Sequence, residues 1–112
     1  MTVCGITSYE DARAALDAGA DFLGAVFYRY SPRALSPAGA ADLVRRTGAG
    51  ARWIGVFVHH GAEGVRRIAR ACGLWAAQVY APLPRAEIRR LGVRAVRATR
   101  VRGPATLARS DL

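Results

Sequence analysis

Cys4 and Arg33 are the two side chains whose type and position point most directly to chemistry. Cys4 lies in the short apolar run Val3 to Ile6. A thiolate serves as a base or nucleophile, and a polarising site can bring its pKa towards neutrality. The plainer alternative is that Cys4 is a small buried apolar residue. Arg33 follows the second apolar run, in Ser31-Pro32-Arg33. A guanidinium can grip a carboxylate through two parallel hydrogen bonds and so fix its orientation. The alternative here is an exposed loop arginine. His59-His60 invites a metal reading, but adjacent side chains at a strand end diverge and no third ligand is placed, so no metal site is expected. Cys72 falls at the end of a helical stretch and is read as structural. There is no C-x-x-C pair, and two cysteines do not make a disulfide framework.

Side chains at strand ends need strands to hold them. Phe22 to Phe27 is apolar throughout, as expected for a strand buried on both faces of a parallel sheet. Val3 to Ile6, Trp53 to Val58, Ala76 to Val79 and Val93 to Val101 read as further strands. Helical stretches alternate with them. Thr7 followed three residues later by Glu10 fits a capping box, with Gly19 as the helix stop. Ser36 caps the second helix, with Pro37 in its first turn and an end near Gly48. Gly61 to Ala71 is the third, stopped at Gly73, and Pro84 opens the fourth, with Gly92 beyond it. Five strands and four helices in alternation imply right-handed βαβ units around a parallel sheet. Residues 1–101 form one (βα)4β unit, and 102–112, with Gly103-Pro104, read as a tail. In such folds ligands bind at the carboxyl ends of strands. Cys4-Gly5, Tyr28 to Arg33, His59-His60, Tyr80-Ala81 and Arg100-Val101 are therefore the positions to watch.

The formal charge is +9, from 17 basic residues, all arginine, against 8 acidic ones. That balance favours phosphates or other anions. Nucleic acid is not expected, because the pairs Arg66-Arg67 and Arg89-Arg90 fall inside predicted helices and not in a basic tail, and no aromatic–arginine interleaving is evident along the chain. No charged n-region precedes an apolar h-region at the N-terminus, so no signal peptide is expected, and no apolar run approaches the roughly 18 residues of a membrane span. A cytoplasmic location is the expectation.

Val3-Cys4-Gly5-Ile6-Thr7 resembles the first-strand signature of the phosphoribosylanthranilate isomerases. Glu10-Asp11-Ala12, Ala18-Gly19-Ala20-Asp21, Leu23-Gly24, Val26-Phe27-Tyr28, Ser31-Pro32-Arg33, Ser36-Pro37 and Gly55-Val56-Phe57-Val58 continue it in order. The resemblance implies a (βα)8 TIM barrel of which this chain supplies a truncated, α/β portion. It implies an aldose–ketose isomerase of tryptophan biosynthesis. The Amadori rearrangement converts N-(5-phosphoribosyl)anthranilate, a small phosphorylated substrate, to the 1-deoxyribulose 5-phosphate form without cofactor or metal. By the same resemblance Cys4 is the general base, Arg33 pairs with the anthranilate carboxylate, and Gly5 is taken as substrate-binding.

Three positions depart from the family pattern. Thr2 stands where a lysine is usual, His59 where an asparagine is common, and Tyr80 where the family has histidine. The family's general acid, an aspartate after strand six, and its phosphate loops after strands seven and eight have no counterpart here, and Asp111 is not assigned the role. A complete barrel typically takes about 250 residues. The expectation is thus an incomplete and impaired isomerase, whose open edges pair with a second copy or a complementing half-barrel. The alternative is a non-catalytic half-barrel scaffold or interaction module.

Overall fold

The computed structural model describes residues 1–28, 30–48, 50–58, 60–80, 85–89 and 91–97. Within them the chain alternates β1 (Thr2–Val3), α1 (Tyr9–Asp17), β2 (Phe22–Val26), α2 (Pro37–Thr47), β3 (Trp53–Phe57), α3 (Ala62–Cys72), β4 (Ala76–Val79), α4 (Arg85–Arg89) and β5 (Arg94–Arg97). The strands form one sheet in the order β1-β2-β3-β4-β5. Each neighbouring pair is parallel. That sequential parallel order is half of a βα-barrel arrangement, and it sends all the βα loops to one end of the sheet and all the αβ loops to the other.

Register assigns each strand residue to a face. Leu23 pairs with Trp53, Gly55 with Ala77 and Phe57 with Val79. These outward positions, with Ala25 and Phe27, pack on Ala12 and Ala15 of α1, Ala40 and Leu43 of α2, and Val65 and Ala69 of α3. Burying the larger of these side chains, Leu23, Leu43, Phe57 and Val65, contributes on the order of 1.5–3 kcal/mol each. The helices therefore cover one face of the sheet, as the unbroken apolar strands require. Cys4, Gly24, Ile54, Ala76 and Gln78 are one residue out of phase and belong to the opposite, inner face, where Ile54, Ala76 and Gln78 are buried.

Several local expectations shift by a residue or more. β1 is Thr2–Val3, shorter than Val3 to Ile6, because its pairing with Phe22 and Leu23 ends where Gly5 turns the chain. The cap of α1 is Ser8, whose hydroxyl accepts the Asp11 N–H at 3.2 Å, so the capping role moves one residue along from Thr7. Ser36 does cap α2, accepting from Gly39 N–H at 3.1 Å with Pro37 in the first turn. Gly73, left-handed at φ 71°, ends α3. Cys72 is buried, with its thiol donating to the Pro37 carbonyl at 3.3 Å. β5 is described as far as Arg97. Its expected continuation to Val101, the tail 102–112, Asp111, Pro84 and His59 lie outside the described residues. Among the described residues no helix is long and apolar enough to cross a membrane.

Candidate active site at the carboxyl ends of the strands

The chain leaves β1 directly into Cys4. Gly5 then takes φ 79°, a left-handed value that only glycine adopts without strain, and the Ile6 N–H rejoins the sheet by donating to the Gly24 carbonyl at 3.1 Å. This single kink lets Ile6 enter the helix-side core while Cys4 stays on the inner face. The sulfur lies against β2 at Gly24. A Cβ built on Gly24 would stand 2.7 Å from Cys4 Sγ and 2.9 Å from Cys4 Cα. Glycine inside an otherwise apolar strand marks close approach of another backbone, and here that backbone belongs to the cysteine. Gly24→Ala is therefore expected to push β1 away and destabilise the fold by about 1–3 kcal/mol. Urea unfolding checks the stability, and thiol alkylation checks the displacement of Cys4; an unchanged midpoint would contradict the packing.

Arg33 arrives from the loop after β2. That loop is built from turns: Ser31 N–H donates to the Tyr28 carbonyl at 2.9 Å, and Ala34 N–H to the Ser31 carbonyl at 3.1 Å. The Ser31 hydroxyl accepts from the Arg33 N–H at 3.2 Å. The chain then runs back alongside β2, with Ala34 bridging Val26 in parallel and Leu35 N–H donating to the Val26 carbonyl at 2.8 Å. The fold-back carries the Arg33 side chain over Gly5. A Cβ on Gly5 would lie 2.9 Å from Arg33 Cδ and 3.2 Å from Nη1. Cys4, Gly5 and Arg33, separated by nearly a whole βα unit, thus meet at the carboxyl end of β1 and β2.

The electrostatics of the thiol are mixed. Burial pushes the Cys4 pKa up and outweighs two opposing effects, the Gly5 N–H hydrogen bond to sulfur and the Arg33 guanidinium, each of which favours the thiolate. The residue nonetheless remains exposed to solvent. Accessibility decides whether a substrate can reach the sulfur; the packed mass around it decides how hard it is to ionise. Thr2, on the same face, contributes no cation to offset the burial.

Two residues of the inner face were not singled out as site residues in the sequence. Gly24 is one. Gln78 is the other: it is buried, and its amide Nε2 donates to the Tyr80 phenol oxygen at 3.1 Å. A lone amide inside the apolar run of β4 was the available signal, since a buried polar side chain requires a partner. Tyr80 follows β4, with its own N–H donating to the Phe57 carbonyl at 2.8 Å. His60 sets its ring edge-on to Phe57, 5.2 Å between centroids, in a packing contact.

Five parallel strands in sequential order with alternating helices place the chain in the βα-barrel fold class. Comparison with known proteins narrows it. The family described as N-(5'-phosphoribosyl)anthranilate isomerase matches residues 1–108, and the chain belongs to that family. The curated isomerase of Geobacter sp. (strain M21) is 41% identical over 108 residues, covering 96% of this chain and 53% of the relative. That of Myxococcus xanthus (strain DK1622) is 41% identical over 110 residues, covering 98% and 52%. The crystal structure of the isomerase from Thermotoga maritima superposes with a TM-score of 0.83 at 30% identity, over 95% of this chain and 53% of that one. The Thermus thermophilus isomerase gives 0.81 at 30% identity, over 92% and 52%. The chain spans about half the length of these relatives.

Proposed function

We propose that this chain carries the base and carboxylate-binding half of a phosphoribosylanthranilate isomerase site, acting in tryptophan biosynthesis in a cytoplasmic setting. Cys4 as thiolate takes the proton from the ribose carbon adjacent to the reacting centre after the ring oxygen has been protonated. Arg33 pairs with the anthranilate carboxylate and so sets where that carbon lies. The Gly5 N–H and the guanidinium hold the negative sulfur. The close approach of Arg33 to Gly5, with its electrostatic pull on Cys4, carries this reading. It joins the two groups that the reaction needs on one side of the substrate.

The acid and the phosphate-binding loops are assigned to a segment corresponding to the remainder of the relatives' length. β1 and β5 each have a free edge among the described strands, and a complementing half-barrel or a second copy would pair there. One Thermotoga maritima isomerase with a TM-score of 0.82 to this chain is described as dimeric, with mutually generated monomers.

The test is reconstitution. The chain alone should show little or no loss of phosphoribosylanthranilate fluorescence. Adding the separately produced second half of the Geobacter relative should give a co-eluting complex with turnover raised by about a hundredfold or more, the typical weight of one general acid. A co-eluting complex without turnover would favour the non-catalytic scaffold. Full turnover by the chain alone would remove the need for the second half.

A further inference from the structure

One large cavity lies at the end of the sheet opposite Cys4, where α2, α3 and α4 hand over to β3, β4 and β5. It has a volume of about 1050 Å³ and is lined by Arg45, Arg52, Arg89 and Arg94, with Trp75 between strands β3 and β5. No acidic side chain lines it among the described residues. The four arginines are exposed at its walls.

Two of these cations are held in place by aromatic rings. The Arg94 guanidinium lies 4.4 Å from the Trp75 ring centroid and that of Arg52 lies 5.6 Å from it. Phe22 packs on the same indole at 4.9 Å and also meets Arg52 at 6.0 Å. A guanidinium held against an indole spends its π face on the ring and keeps its in-plane N–H groups for an anion. The C-termini of α2 and α3 reach the cavity and place about half a negative charge each near it. Arg45 is further engaged by Asp42. Asp21 also acts electrostatically on Arg52, so the four arginines face two nearby carboxylates and about one further charge from the helix ends, which leaves the cavity modestly positive and partly preorganised.

We infer that this cavity binds an oligophosphate group, a chain of adjacent phosphates on a small molecule, through the N–H edges of Arg52, Arg89 and Arg94. Base stacking does not fit it, because the indole already carries Phe22 and the guanidinium groups. The site is independent of the isomerase reading.

Inorganic tripolyphosphate is the probe, titrated calorimetrically into the full chain at low ionic strength, with tryptophan fluorescence followed in parallel. One-to-one binding is expected, with a change in Trp75 emission. Arg52→Gln/Arg94→Gln should weaken it about tenfold or more. Arg13→Gln/Arg66→Gln, which removes the same charge from α1 and α3 outside the cavity, should leave it within about twofold, as a remote screened charge would. Absence of binding at millimolar probe would overturn the inference. So would equal weakening by both double variants, or tighter binding of a random DNA duplex at the same salt.

Discussion

Cys4→Ala should lower turnover of the reconstituted isomerase by about a hundredfold to ten-thousandfold, the weight of a general base placed on the reacting carbon. The side chain touches little that the fold needs. It is exposed, it faces away from the helix-side cluster, and the kink that follows it is set by Gly5. Alanine keeps the Cβ that packs against Gly24, so the circular dichroism spectrum and the urea midpoint should stay close to those of the parent chain. Cys4→Ser should fare no better than alanine, because a hydroxyl does not ionise in the working range. Retention of more than a tenth of the turnover by either variant, in a complex that still forms, would move the base elsewhere.

Trp53→Ala should have the largest effect on stability. Trp53 is 1% exposed and is among the largest fully buried side chains of the chain. It sits where β3 meets α2, and its indole N–H donates to Thr47 Oγ1 at 2.9 Å, while that hydroxyl donates on to the Leu43 carbonyl at 2.9 Å. Truncation removes the packing and leaves the Thr47 oxygen one donor short. A cost of about 3–5 kcal/mol is expected. Domains of this kind have about 5–15 kcal/mol in total, so the variant should be largely unfolded in moderate urea where the parent is native. Denaturation followed by circular dichroism measures it. A loss under about 1 kcal/mol would mean that the site collapses to fill the space or that the α2–β3 contact is weak.

Much of this organisation is readable along the chain, and the parts that are not share a cause. The run Phe22 to Phe27 gives β2 because six consecutive apolar residues suit a strand covered on both sides. Ser36-Pro37 and Gly73 mark helix ends because capping and left-handed geometry are local matters. Thr7 against Ser8 is a choice between two adjacent hydroxyls, which local pattern does not separate; the position of Asp11 N–H decides it. The short β1 is set by its partner, since pairing with Phe22 and Leu23 determines where the ladder stops. Identifying Cys4 and Arg33 rested on the family resemblance, but their meeting over Gly5 depends on the fold-back of residues 31–35 along Val26, which no spacing rule contains. Aromatic–arginine interleaving is likewise invisible along the chain. Phe22, Arg52, Trp75 and Arg94 come from four different segments and assemble only when the sheet forms. Gly24 and Gln78 were visible as anomalies in apolar strands, but their purpose required knowing what lies opposite.

The proposed site depends on one juxtaposition, the Arg33 side chain folded over Gly5 within electrostatic reach of the Cys4 sulfur. It can be measured without turnover, by following iodoacetamide alkylation of Cys4 against pH with mass-resolved peptides that separate it from Cys72. In the parent chain the rate should rise through a midpoint above the ordinary thiol value of about 8.5, because burial outweighs the two stabilising contacts. Arg33→Gln removes one of those contacts and should move the midpoint to still higher pH, with less thiolate at any given pH. Superimposable curves for parent and variant, or a midpoint that falls, would place the arginine away from the sulfur and contradict the site.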